Sequence, residues 1–188
     1  MPQDSPTAVT SAQPIAPRTR ALDDNPPLAA RAVELLQALR AFVRLDAQDA
    51  RCVVAYMREV GFARGEVLFR AGDHHSLGHL LLVLEGEVSV DSGRPSPSGE
   101  VPISVLGPGA MLGEMALLDG APRSATCTAV TNIQAAGLAR RGLERLIDEH
   151  PKVAAKLMAV LAQGLSERLR ALDEQLQMYG QIHAAVRP

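Results

Sequence analysis

Gly113-Glu114-Met115-Ala116-Leu117-Leu118-Asp119-Gly120-Ala121-Pro122-Arg123-Ser124-Ala125-Thr126 sets Glu114 and Arg123 nine residues apart, with small and apolar residues and a turn between them. The carboxylate suits a sugar hydroxyl, and the guanidinium with nearby backbone N–H groups suits a phosphate. Gly113 lets the backbone approach a ligand closely. Ala116-Leu117-Leu118 fits one short helical turn whose leading amides point at an anion. Asp119-Gly120-Ala121-Pro122 closes that turn and returns Arg123 to the same place.

Gly113-Glu114, then Ala116-Leu117-Leu118, then Pro122-Arg123-Ser124-Ala125-Thr126 resembles the phosphate-binding cassette of cyclic-nucleotide-binding domains. That family includes bacterial cyclic-AMP receptor transcription factors, protein kinase A regulatory subunits and cyclic-nucleotide-gated channels. Gly65-Glu66-Val67-Leu68-Phe69-Arg70-Ala71-Gly72-Asp73 is similar to the opening strand and turn of the family's β-roll, Glu85 to Val90 to its next glycine turn, and Gly107-Pro108-Gly109 to the loop leading into the cassette. The resemblance covers roughly residues 30 to 180. It implies an α+β fold, with an antiparallel β-roll of the double-stranded β-helix or jelly-roll type. N-terminal helices and a long C-terminal helix flank the roll.

The chain has 188 residues, 47% of them hydrophobic, and a net charge of −2. That is enough for one domain with a full core, and gives no general basicity to suggest nucleic acid. Cys52 and Cys127 lie in apolar surroundings and read as small hydrophobes. No apolar run fits a signal peptide or a bilayer span, so a cytoplasmic location with no membrane partner is expected.

Residues 1–26 carry Pro2, Pro6, Pro14, Pro17 and Pro26 and read as a disordered arm. Residues 27–150 read as the roll with its flanking helices, and 151–188 as a capping and dimerisation helix with a short tail. Leu28, Val33, Leu36, Leu39, Phe42 and Val43 approximate one apolar face of a first helix. Asp46 reads as the N-cap of a second, ended near Gly61. Short apolar runs at Val67–Phe69, Leu80–Leu84, Val88–Val90, Ile103–Leu106, Thr126–Val130 and Ile133–Leu138 read as strands. Ser92–Gly99 reads as a polar hairpin loop. A helix from Arg141 or Gly142 to Glu149 is followed by a longer one opened by Pro151.

That last helix carries a heptad stripe of Met158, Leu165, Leu172 and Tyr179, with Ala162, Leu169 and Leu176 alongside. The stripe suits either a homodimer seam or packing against its own domain. Only Gly180–Pro188 follow, too few for the DNA-reading domain of the receptor family, so output through an effector protein rather than DNA is expected.

The resemblance implies roles for individual residues. Glu114 would accept from the ribose 2′-OH, and Arg123 would hold the cyclic phosphate beside Gly113, Met115 and Ala116. Ser124 would touch phosphate or base. Without ligand, Glu114 and Arg123 could pair with each other. On the last helix, Arg168 and Leu169 stand where the receptors carry a Thr-Ser pair. Arg168 could stack on a purine or bond guanine, or could be a solvated helix residue. His74, His75 and His79 lack metal-site spacing.

The reading is thus a non-enzymatic sensor with no cofactor or metal, whose ligand is cyclic AMP more than cyclic GMP. The alternatives are a dimeric scaffold that binds no nucleotide, a sensor of another anion such as a cyclic dinucleotide, and, last, a cupin-like enzyme.

Overall fold

The computed structural model describes residues 20–74, 78–91 and 104–185, and at 175, 176 and 178–185 the backbone alone. Residues 1–19, His75 and the Ser92–Gly99 segment lie outside the described residues.

Strand β4 (His79–Glu85) organises the molecule. Five consecutive residues, Leu80 to Leu84, are buried, so both faces of the strand must be covered. Leu80, Leu82 and Leu84 face a helical cluster, whereas Leu81 and Val83 face a second cluster between two sheets. The first sheet has five antiparallel strands in the order β1 (Arg20–Ala21), β2 (Arg58–Phe62), β9 (Ile133–Ala139), β4, β7 (Met111–Leu112). The second has four, β3 (Val67–Phe69), β8 (Thr126–Ala129), β5 (Val88–Asp91), β6 (Ser104–Leu106). These two sheets, with helices over one outer face, are the expected antiparallel roll.

The helices follow local chemistry. In α1 (Pro26–Ala38), proline occupies the first turn, where its missing N–H costs nothing. Asp46 caps α2 (Ala47–Val54) by accepting from the amides of Gln48 and Asp49, while Asp49 returns a bond to the Asp46 amide. Helix α4 (Arg140–Glu149) breaks at His150, and α5 (Pro151–Ala185) starts at the expected proline. Ala154, Leu157, Val160 and Leu161 bury one face of α5 in the helical cluster. Lys156 bonds Asp49, fastening α5 to α2. The Tyr56 hydroxyl donates to Glu149 at 2.5 Å, which pushes the phenol pKa up to about 12 and secures the end of α4.

Three expectations change. The arm does not extend to residue 26: Arg20–Ala21 pairs with β2, Arg20 bonds Glu59 at 2.6 Å, and Leu22 is fully buried. Helix α2 ends at Val54 rather than Gly61, because Arg58–Phe62 pairs along its whole length with β9 and buries Val60 between the sheets. Helix α1 ends at Ala38, which leaves Phe42 88% exposed in the following loop.

Leu169 and Leu172 of the heptad stripe stand 61% and 51% exposed in the single chain. The side chains of Leu176 and Tyr179 are outside the described set. Among the described residues, no helix is long and apolar enough to cross a membrane. No three metal-ligating side chains converge among them either.

Gly164 sits inside α5, and a Cβ built there meets open space. Gly164→Ala should therefore stabilise the chain by about 0.5–1 kcal/mol. Thermal denaturation should show a midpoint raised by about 1–4 °C. A fall would mean that this turn of α5 is closely packed against something else.

Candidate functional site

The site forms where β7 leaves the first sheet. Gly113 turns the chain with φ +79° and serves as the N-cap of α3 (Glu114–Asp119). The amides of Glu114, Met115 and Ala116 precede the helix's first internal bond, from Leu117 N to Gly113 O at 3.2 Å. Gly120, at φ +71°, ends α3, and Asp119 Oδ1 accepts from the Ala121 amide at 2.8 Å. Arg140, at the start of α4, donates to the Ala116 carbonyl at 3.2 Å, bracing the helix from the far side.

Arg123 is then fixed along its whole length. Its amide donates to Asp73 O at 3.2 Å, and its carbonyl accepts from Gly72 N at 2.8 Å. Its guanidinium donates to Gly113 O and to His79 O, both at 3.0 Å. One face lies 3.8 Å from the centre of the Phe69 ring. The residue is only 4% exposed, and burial lowers the guanidinium pKa, opposed by Cys127, Asp73 and Glu114. The His79 ring packs on Phe69 at 5.5 Å, and burial, then Arg123, lowers the imidazole pKa. Burial likewise pushes the Cys127 thiol up to about 11, so it stays protonated and inert at neutral pH.

Glu114 is 5% exposed, and its partner differs from the expected one. Arg123 does not take the carboxylate: Glu114 Oε1 bonds Arg168 Nη1 of α5 at 2.5 Å, and Arg168 Nη2 donates to Met111 O at 2.9 Å. Arg168 is thus neither a purely solvated residue nor an isolated stacking group. It fastens the last helix to the mouth of the site, with its own side chain 48% exposed. Ser124 is exposed, and its hydroxyl donates to Met115 Sδ at 3.7 Å.

Gly113, Glu114, Met115, Ala116, Arg123, Ser124 and Arg168 all line a single cleft of about 60 Å³. Phe69 and Cys127, which the sequence reading assigned only to strands, line it too. The pairing of β3 with β8 brings them there, setting Phe69 opposite Cys127 just after the cassette, and a pairing between distant strands leaves no local sequence signal. The carbonyls of His79 and Met111 left no sequence signal, because any residue type supplies a carbonyl.

A buried carboxylate and a buried guanidinium thus flank a short helix that opens on a left-handed glycine. The model of the cyclic nucleotide-binding domain matches residues 59–150. A solved cyclic nucleotide-binding domain from Methylobacillus flagellatus superimposes with a TM-score of 0.70 at 30% identity, covering 86% of each chain. The chain belongs to the cyclic nucleotide-binding domain family.

Among full-length members, the cyclic AMP receptor protein of Thermus thermophilus is 35% identical over 134 residues. The match covers 70% of this chain and 60% of that one. The CRP-like cAMP-activated global transcriptional regulator of Mycobacterium tuberculosis is 28% identical over 133 residues, covering 70% and 58%. The chain therefore spans under two thirds of the length of these curated relatives.

The cassette gives a direct test of its packing. A Cβ on Gly113 would stand 2.2 Å from Arg123 Nη1 and 3.0 Å from His79 O, at a φ that side chains rarely adopt. Gly113→Ala should destabilise the protein by about 1–3 kcal/mol in denaturant titration. A variant as stable as the parent would show that Arg123 moves aside at little cost.

Proposed function

We propose that this domain is a sensor that binds cyclic AMP in preference to cyclic GMP and reports through movement of α5. The observation that carries the proposal is the pair of buried charges at the cassette, one of which is bonded to the last helix. Arg123 and the leading amides of α3 would receive the cyclic phosphate, and Glu114 the ribose 2′-OH. Ser124 and Met115 border the same opening. The base preference rests on the relatives, two of which are named for cyclic AMP.

The mechanism follows from Arg168. A cleft of about 60 Å³ is far below the roughly 300 Å³ at the low end of small-molecule pockets, so a nucleotide requires the Arg168 side of it to move. A hydroxyl bonded to Glu114 competes with Arg168 for the same carboxylate oxygen. The ligand then changes what α5 gains by lying across the mouth, and its differential affinity sets how far the helix population shifts. The exposed Leu169 and Leu172 lie just beyond Arg168 and would carry the change to a second copy in a homodimer, and from there to an effector protein. The closed cleft also suits an interaction scaffold that takes no nucleotide.

Calorimetric titration separates these readings. Cyclic AMP should bind once per chain and more tightly than cyclic GMP, and Arg123→Lys should weaken binding at least tenfold, since a point charge cannot replace the planar fork. Absence of heat from either nucleotide, in folded protein free of bound nucleotide, would support the scaffold.

The helix response is tested by amide hydrogen exchange. Cyclic AMP should alter protection in residues 160–174 of the parent protein. Arg168→Ala should still bind cyclic AMP while losing that response. Unchanged exchange along α5 in the parent would sink the mechanism.

A further inference from the structure

A second depression lies on the other side of the same turn of α5. It is a groove of about 310 Å³ lined by Leu39, Arg40, Met111, Val160, Gly164 and Glu167. Its floor is apolar, and Gly164 contributes no side chain, which leaves the middle open. Arg40 stands on one rim and Glu167, bonded to Gln163 at 2.9 Å, on the other.

The loop leaving Arg40 runs Leu39-Arg40-Ala41-Phe42-Val43-Arg44-Leu45 and alternates in burial. Leu39 and Ala41 pack on the helical core, and Leu45 is 3% exposed. Arg40, Phe42 and Arg44 point the other way, with Phe42 88% exposed. The inward residues anchor the loop on both sides of Phe42, so the aromatic ring is held out in water by a fixed backbone. Neither Arg40 nor Arg44 makes an ion pair among the described residues. Two guanidinium groups without an ion-pair partner among the described residues outnumber the single Glu167 carboxylate at the groove, and with the exposed ring they leave a surface whose complement is acidic and apolar.

We infer that the loop Arg40–Arg44 and the adjoining groove form a docking surface for an acidic protein segment that presents a bulky apolar side chain between carboxylates. The apolar side chain enters the groove against Leu39, Met111 and Val160, and the carboxylates meet Arg40 and Arg44. The groove and the nucleotide cleft share a wall: Met111 lines the groove while its carbonyl binds Arg168, and Glu167 lines the groove while its neighbour Arg168 holds Glu114. Movement of Arg168 therefore changes the groove's width, and a bound segment biases the cleft in return. Only this nucleotide dependence rests on the sensor reading; the docking surface does not.

The test is selection of a random twelve-residue displayed peptide library on the full chain without nucleotide, followed by fluorescence polarisation with the enriched peptide. The expected peptides carry at least two Asp or Glu around a bulky apolar residue. Their affinity should fall at least tenfold with Arg40→Glu/Arg44→Glu and with Phe42→Ala, while cyclic AMP titration of these variants stays as in the parent. Failure to enrich any peptide, enrichment of peptides without acids, or equal binding to the variants would overturn the inference. So would sedimentation in which Phe42→Ala alone turns a dimer into a monomer, since the surface would then belong to a second copy. Peptide affinity that is lost in the variants but unmoved by cyclic AMP keeps the surface and rejects the sensor coupling.

Discussion

Burial of β4 on both faces is the constraint from which the rest of the architecture follows. A strand with five consecutive buried residues needs a cover on each side: the second sheet supplies one, and α1, α2, α4 and α5 the other. The site sits at the margin of that strand. Its first residue, His79, offers a carbonyl to Arg123, and its partner β7 leads through Leu112 into Gly113. The cassette is thus hung from a strand buried on both faces, which keeps a loop-borne site rigid.

Two charges are removed from water there, and the protein treats them differently. Arg123 receives two backbone carbonyls and an aromatic face, all from elements bonded to the core. Glu114 receives a half-exposed arginine from the middle of a long helix. The first arrangement can change only if the core changes. The second can open with a single side chain, since a partly exposed pair loses much of its strength to water. The asymmetry makes the cation the fixed member of the site and the carboxylate the exchangeable one.

The local geometry of the cassette was legible in sequence because it needs particular residue types at short range: a glycine for φ +79°, an acid beside it, and an arginine after a tight turn. The Asp46 cap and the Pro151 start were legible for the same reason, each being a local hydrogen-bond or steric requirement. Strand β2 was not, because Arg58–Phe62 has no clean alternation and owes its conformation to pairing with β9, some seventy-five residues away. Leu22 was hidden by the prolines around it, although it is fully buried in the helical cluster. The Glu114–Arg168 pair spans 54 residues and two kinds of element, and no local pattern records it. The nearer arginine was the natural partner by sequence distance, but its fork was already committed to the carbonyls of Gly113 and His79.

That commitment bears on when order is imposed on Arg123. A free arginine side chain keeps roughly 2 kcal/mol of rotamer entropy, which a ligand must normally remove. Here the side chain loses that freedom during folding, since its position is set by β4, Phe69 and the Gly72–Asp73 turn before any anion arrives. In the proposed sensor, Arg123 would therefore meet an incoming anion already ordered, and the flexibility lost on association would fall on Arg168 and α5 instead.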